Sequence, residues 1–198
     1  MSDHAKKTLD LVTKFVEEKC IPYVCHDIIL FHALHRTRPL LTIHSADPIF
    51  HAQLGEGTQR WDAYPSVIED LKKEAQSLGL WNLFLAKSHY KEGAGFSNLE
   101  YGLMAEQLGK SHLASEATNC AAPDTGNMEV LAKYGNEEQK RQWLAPLLSG
   151  KIRSAFLMTE PDIASSDATN IQMDMRRDGD DWILNGSVSW SIFILGQG

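Results

Sequence analysis

The chain has 198 residues, 43% hydrophobic and 23% charged, with a formal net charge of −7 at pH 7. This is the make-up of a globular protein of one domain or two small ones, and the acidic balance excludes a broad electrostatic grip on nucleic acid. The three cysteines, Cys20, Cys25 and Cys120, form no C-x-x-C pair and read as reduced thiols of an intracellular protein, without the local partner a nucleophile needs.

The N-terminus MSDHAKKTLD carries neither a secretory apolar run nor an Arg-rich, acid-poor presequence. The apolar-leaning stretch Tyr23 to Leu34 is broken by His26, Asp27 and His32 and is too short to span a bilayer, so a soluble chain is expected. Up to about Gly150, apolar residues recur at helical spacing. Leu9, Val12, Phe15 and Val16 form one stripe. Ser66 and Glu69 have capping-box spacing ahead of Val67, Leu71, Ala75 and Leu78, with Gly79 as a stop. Ser97 and Glu100 repeat that device ahead of Met104, Leu108 and Gly109. A helix through Met128, Leu131 and Tyr134 is expected to stop at Gly135. Asn136 then caps one that buries Trp143, Leu144, Leu147 and Leu148 and ends at Gly150.

Beyond that glycine the period changes from that of a helix to that of a strand. Ile171, Met173 and Met175 alternate with polar residues as in a half-buried strand, and Asp178-Gly179 predicts a hairpin returning through Trp182, Ile183 and Leu184. Asn185-Gly186 marks another turn, after which Val188, Trp190, Ile192 and Ile194 alternate again. The expected fold is α+β, with helices over 1–150 and an antiparallel β domain beginning over 151–198.

The junction segment, Phe156-Leu-Met-Thr-Glu-Pro-Asp-Ile-Ala-Ser-Ser-Asp167, is a short apolar run ending in hydroxyls, carboxylates and a proline. From its residues alone it is either a loop whose Thr159, Ser165, Ser166 and backbone amides bind a phosphate or a heterocycle edge, or a surface loop whose Asp and Ser residues satisfy turns. MTEPDIASSDATN, Met158 to Asn170, resembles the flavin-contacting signature of the acyl-CoA dehydrogenases. The likeness extends upstream through APDTGNMEVLAKYGNEEQKRQWLAPLLSGKIRSAF and downstream to Asn185-Gly186, covering most of 1–22 and 47–186. The wording is nearest to the branch that holds animal family members 10 and 11.

That resemblance implies an N-terminal helical domain followed by the start of an antiparallel β-barrel. It implies FAD as cofactor, acyl-CoA as substrate, an electron-accepting flavoprotein and homo-oligomers in the full-length family. Phe156, Met158 and Thr159 match positions beside the isoalloxazine ring, and Ser165 and Ser166 match positions near the flavin pyrophosphate. Ser166 also matches a position contacting acyl-CoA, and Ala122 to Asn127 a region near the acyl pocket. Trp190 stands at the spacing of a tryptophan that packs on the flavin, or else simply faces one side of a strand. The implied activity is α,β-dehydrogenation of an acyl-CoA to the trans-2-enoyl-CoA, in fatty acid oxidation in the mitochondrial or peroxisomal matrix.

Two stretches depart from the family. Residues 23–46, rich in histidine, read as an apparent insertion, an unspliced or wrongly assigned segment. Its His32 and His35 lack further ligands at zinc spacing, so no metal is assigned. After Gly186 the wording diverges and the chain stops, so the C-terminal helical bundle, which in the family carries the glutamate base and subunit contacts, is expected to be absent. Glu160 reads as a loop-bonding residue rather than a base, and no catalytic residue is assigned. The chain is therefore expected to be a fragment unable to catalyse alone. The alternatives are a binding or oligomerisation module derived from the family and an acyl-CoA oxidase relative.

Overall fold

The Ser2 hydroxyl accepts the Ala5 amide at 3.2 Å and opens α1 (Asp3–Phe15), whose Ala5, Thr8, Val12 and Phe15 form one buried face. The computed structural model describes residues 1–21, 46–164, 167–188 and 190–192. Most of the apparent insertion, with Cys25, His32 and His35, therefore lies outside the described residues. α1 runs on into a wide π turn (Val16–Cys20), closed by the Ile21 amide on the Val16 carbonyl at 2.8 Å. Ile21 is extended, as the residue before a proline must be.

α2 (Ala46–Leu54) leads through a 3-10 turn (Gly57–Trp61) to α3 (Ser66–Ser77). The expected Ser66–Glu69 capping box does not form. Pro65 holds the N-cap position, and Gln53 of α2 takes over the capping by accepting the Val67 amide at 3.0 Å and donating to the Ser66 hydroxyl at 3.1 Å. Glu69 is drawn instead to the Tyr64 hydroxyl and to Lys72. The buried stripe shifts accordingly to Ile68, Leu71, Lys72 and Ala75, and Leu78 is exposed.

An irregular buried segment follows, with Leu80, Leu83 and Leu85 fully enclosed. α4 (Asn98–Leu108) starts at the capping box read from sequence, with both Ser97 and Glu100 arms made, and buries Met104 and Leu108. After the short α5 (Ala114–Ala117), α6 (Asp124–Tyr134) buries Met128 and Ala132 and ends at Gly135. α7 (Glu137–Gln139) is capped reciprocally by Asn136 and Gln139 and widens into a π turn (Lys140–Leu144) before α8 (Ala145–Leu148). Pro146 explains the widening, because its ring removes a helical N–H and would crowd the carbonyl four residues back. Leu144 and Leu147 are buried, while Trp143 is 48% exposed.

The Leu148 carbonyl is satisfied from outside its helix, by Trp81 Nε1 at 2.7 Å and Asn82 Nδ2 at 2.8 Å. Asn119 Nδ2 reaches the Leu147 carbonyl at 3.0 Å and Asn82 Oδ1 at 2.7 Å. Gly150, at φ 71°, then turns the chain away from the helices.

β1 (Phe156–Thr159) pairs antiparallel with β4 (Trp190–Ile192), with an irregularity between Leu157 and Thr159. β2 (Asp174–Asp178) pairs with β3 (Asp181–Asn185) from Asp174↔Asn185 to Asp178↔Asp181, around Gly179 at φ 62°. The fold is thus helical with small antiparallel sheets, and the two described pairs do not close a barrel. The β2–β3 hairpin is more exposed than its alternating pattern predicts, with Met175, Trp182 and Leu184 all on the surface. β2 also starts later than Ile171, because the Gln172 and Met173 amides are bonded to Glu160 instead of a neighbouring strand.

Candidate functional site at the helix–strand junction

β1 carries the residues to which the sequence assigns cofactor contact. Met158 and Thr159 are half-buried and Phe156 is exposed. Among the described residues β4 is the ladder partner of β1, so the opposite edge of β1 presents backbone groups without a strand to receive them. Trp190 stands in β4 with its backbone opposite Thr159. Ser165 and Ser166 lie outside the described residues.

The acids of the loop hold the loop itself. Glu160, 7% exposed, accepts the Gln172 amide at 2.9 Å and the Met173 amide at 2.8 Å. Asp167 accepts the Thr169 hydroxyl at 2.6 Å and its amide at 3.0 Å, which lowers the Asp167 carboxyl below its ordinary value. Glu160 therefore takes the loop-bonding role expected of it.

The segment that leads into β1 is tied to α6 by charge. Asp124, the first residue of that helix and 2% exposed, accepts the Ser154 amide at 2.7 Å and the Arg153 Nε at 2.5 Å. Arg153 also pairs with Glu116, which Lys72 of α3 reaches at 3.0 Å. Burial pushes the Glu116 carboxyl up, but Arg153 and Lys72 more than offset this and hold it below its ordinary value. Sequence reasoning missed this network, since its partners stand 29 to 44 positions apart and leave no local spacing to read.

Two cavities flank α6. One, of about 280 Å³, is lined by Phe84, Asn98, Tyr101, Cys120, Thr125 and Glu129 among others. The second, of about 330 Å³, lies among Val130, Leu131, Trp143, Leu147, Ile152 and Arg153. Between them, in the first turn of α6, Gly126 is exposed, and a Cβ there would meet nothing within 4 Å. Cys20 and Cys120 are free and buried, and burial pushes the Cys20 thiol up to about 12. Among the described residues no helix is long and apolar enough to cross a membrane.

Residues 44–151 match the family model described as acyl-CoA dehydrogenase, N-terminal domain. The chain belongs to the acyl-CoA dehydrogenase family. It is 53% identical over 142 residues to acyl-CoA dehydrogenase family member 11 of Gallus gallus, which covers 72% of this chain and 18% of that protein. Family member 10 of Mus musculus is 41% identical over 198 residues, covering 98% of this chain and 16% of that protein. The chain thus spans less than a fifth of the length of these relatives. A solved acyl-CoA dehydrogenase structure from Mycobacterium abscessus superposes with a TM-score of 0.71 at 41% identity, over 96% of this chain and 42% of that one. A glutaryl-CoA dehydrogenase from Mycobacterium smegmatis in complex with FADH2 shares the fold, at a TM-score of 0.57 and 24% identity over 96% of this chain and 39% of that one. Within the acyl-CoA dehydrogenase fold, the structure places Phe156, Met158 and Thr159 on one strand and sets the Trp190 backbone opposite Thr159.

Proposed function

We propose that this chain forms part of the flavin and acyl-CoA surface of an FAD-dependent acyl-CoA dehydrogenase, the enzyme that converts an acyl-CoA to its trans-2-enoyl-CoA. The observation that carries this reading is β1, whose edge opposite β4 meets no strand among the described residues and whose Met158 and Thr159 are half-buried, in a chain of which family member 10 of Mus musculus matches 98%. Those residues fit the polar edge of an isoalloxazine, since an open strand edge offers both N–H donors and C=O acceptors and Thr159 adds a hydroxyl. FAD, when bound, would supply the acceptor for the hydride that leaves the β-carbon. Phe156 and Trp190 are assigned to the same ligand. Ser165 and Ser166 are assigned to its pyrophosphate, and Ser166 also to the acyl-CoA.

We assign the acyl group to the start of α6, where Ala122 just ahead of the helix and Gly126 in its first turn are small and exposed and a cavity opens on either side. The α-proton needs a carboxylate within hydrogen-bond reach. Glu160 does not serve, because its oxygens receive the Gln172 and Met173 amides. From the family resemblance, the base is assigned to a C-terminal helical bundle outside these 198 residues, and the chain alone is proposed not to turn over. The electron-accepting flavoprotein, homo-oligomers of the full-length protein and a mitochondrial or peroxisomal matrix location belong to the same reading.

Purified chain, mixed with FAD, should retain visible flavin absorbance after gel filtration and form no enoyl-CoA from acyl-CoA. Stoichiometric flavin with enoyl-CoA formation would overturn the claim of inactivity, and no retained flavin would overturn the claim of a cofactor surface. One observation favours a second reading, that of a binding module for longer chains of the family. Phe156, Leu157, Met175, Trp182 and Leu184 are 53% to 62% exposed, an apolar surface suited to burial by a partner. Co-purification with a full-length homologue would support it.

A further inference from the structure

β1 is held to the helices by directed polar bonds. The Asp124 carboxylate accepts Arg153 Nε at 2.5 Å, the Ser154 amide at 2.7 Å and the Ser154 hydroxyl at 2.5 Å. Asn127, on the next residues of the same helical turn, donates to the Ser154 hydroxyl at 2.8 Å and to the Ala155 carbonyl at 3.3 Å. So the start of α6 grips each of the three residues that precede β1. Arg153 carries the tie further, to Glu116 of α5 and from there to Lys72 on α3. The side chains of Asp124, Lys72 and Arg153 expose only 3%, 10% and 13% of their surface.

Buried ion pairs of this kind add little net stability compared with an apolar contact of the same size, because desolvating the charges offsets their attraction. What they do supply is geometry. An apolar face lets a strand slide or rotate by a fraction of a residue, whereas several short bonds converging on one carboxylate allow one placement. The placement matters here because α6 also walls both cavities, through Thr125 and Glu129 on one side and Val130 and Leu131 on the other.

We propose that Asp124 is a positioning residue. Through Arg153 and Ser154 it fixes where the strand Phe156–Thr159 stands relative to α6, and so sets the offset between the cofactor edge and the acyl surface. The geometric half of this inference stands on the contacts alone, and its catalytic meaning rests on the flavin reading above.

Amide hydrogen exchange on the 198-residue chain separates the two halves. In Asp124→Asn, the amides of Phe156–Thr159 should exchange about tenfold faster, while those of α1 and α4 keep their rates. Ser154→Ala, a smaller lesion, should raise the same amides by less and carries the test if Asp124→Asn fails to fold. Unchanged exchange in β1, or an equal rise in α1 and α4, would overturn the proposal, the latter by making Asp124 a general stability residue. A second arm adds FAD and records the visible flavin bands. Both variants should take up flavin with bands displaced from those of the parent, a signature that mere loss of stability does not produce. Identical bands would overturn the catalytic meaning. If the parent itself takes up no flavin, the cofactor reading fails while the exchange result still decides Asp124.

Discussion

At the scale of single residues, buried carboxylates do the most specific work. Glu160 Oε1 lies 3.1 Å from the Gln172 amide and 2.8 Å from the Met173 amide, and Oε2 lies 2.9 Å from Gln172. Glu160→Gln keeps one acceptor oxygen but loses the charge, so it should cost about 1–3 kcal/mol in urea unfolding. An unchanged midpoint would remove the loop-bonding role. Glu100 is held well below the usual carboxylate range by the amides of Ser2 and Ser97 and by their hydroxyls. Glu116 is also held low, with burial opposing and Arg153 and Lys72 prevailing. Depressed folded values mean that this stability is fully present above the unfolded carboxylate pKa, about 4.3, and is lost as pH falls through the folded values. The urea midpoint should therefore change little from about pH 7 to pH 5 and fall steeply below about pH 4. Glu100→Gln should flatten that acid limb, and an equally steep limb in the variant would sink the assignment.

At the scale of elements, what the sequence reveals depends on how far a partner stands along the chain. The Ser97–Glu100 and Asn136–Gln139 boxes are legible because both arms fall within one turn. Ser66 and Glu69 carry the same spacing and fail, because Gln53, 13 positions upstream, occupies the cap and Tyr64 and Lys72 claim the glutamate. Local pattern records an opportunity, and a tertiary neighbour can take it. The same limit hides Asp124–Arg153, whereas the β1 motif is legible through its family wording. Ser97→Ala should cost about 0.5–2 kcal/mol by denaturant titration, since the Glu100 amide loses its acceptor. Gly150 joins helix to strand at φ 71°, where a Cβ would lie 2.8 Å from the Trp81 ring. Gly150→Ala should therefore destabilise by about 1–3 kcal/mol through positive φ and overpacking together. A neutral result would mean that Trp81 yields, at the expense of its bond to the Leu148 carbonyl.

At the scale of the whole molecule, burial is unevenly distributed. Leu80, Leu83, Leu85, Met104 and Met128 are fully enclosed in one helical core, whereas β2 exposes every residue and β3 exposes all but Ile183. Met175 of β2 stands opposite Leu184 of β3, on the same face as Trp182, so the hairpin has an apolar face, yet among the described residues no element covers it. Two-stranded pieces are marginal alone, and opening β2–β3 here gives up little buried apolar area. Two stability levels should follow. Amides of α4 and α6 should exchange only through global unfolding and track the urea midpoint. Those of Asp174–Asp178 and Asp181–Asn185 should exchange by local opening, about a hundredfold faster or more, with no dependence on low denaturant. Adding whatever packs on Met175, Trp182 and Leu184 in a longer chain should slow the hairpin amides and leave the helical ones unchanged. Hairpin amides that already match the helical rates in the isolated chain would mean that the strands share the core's cooperativity. The exposed apolar face would then be a surface of an independently stable unit.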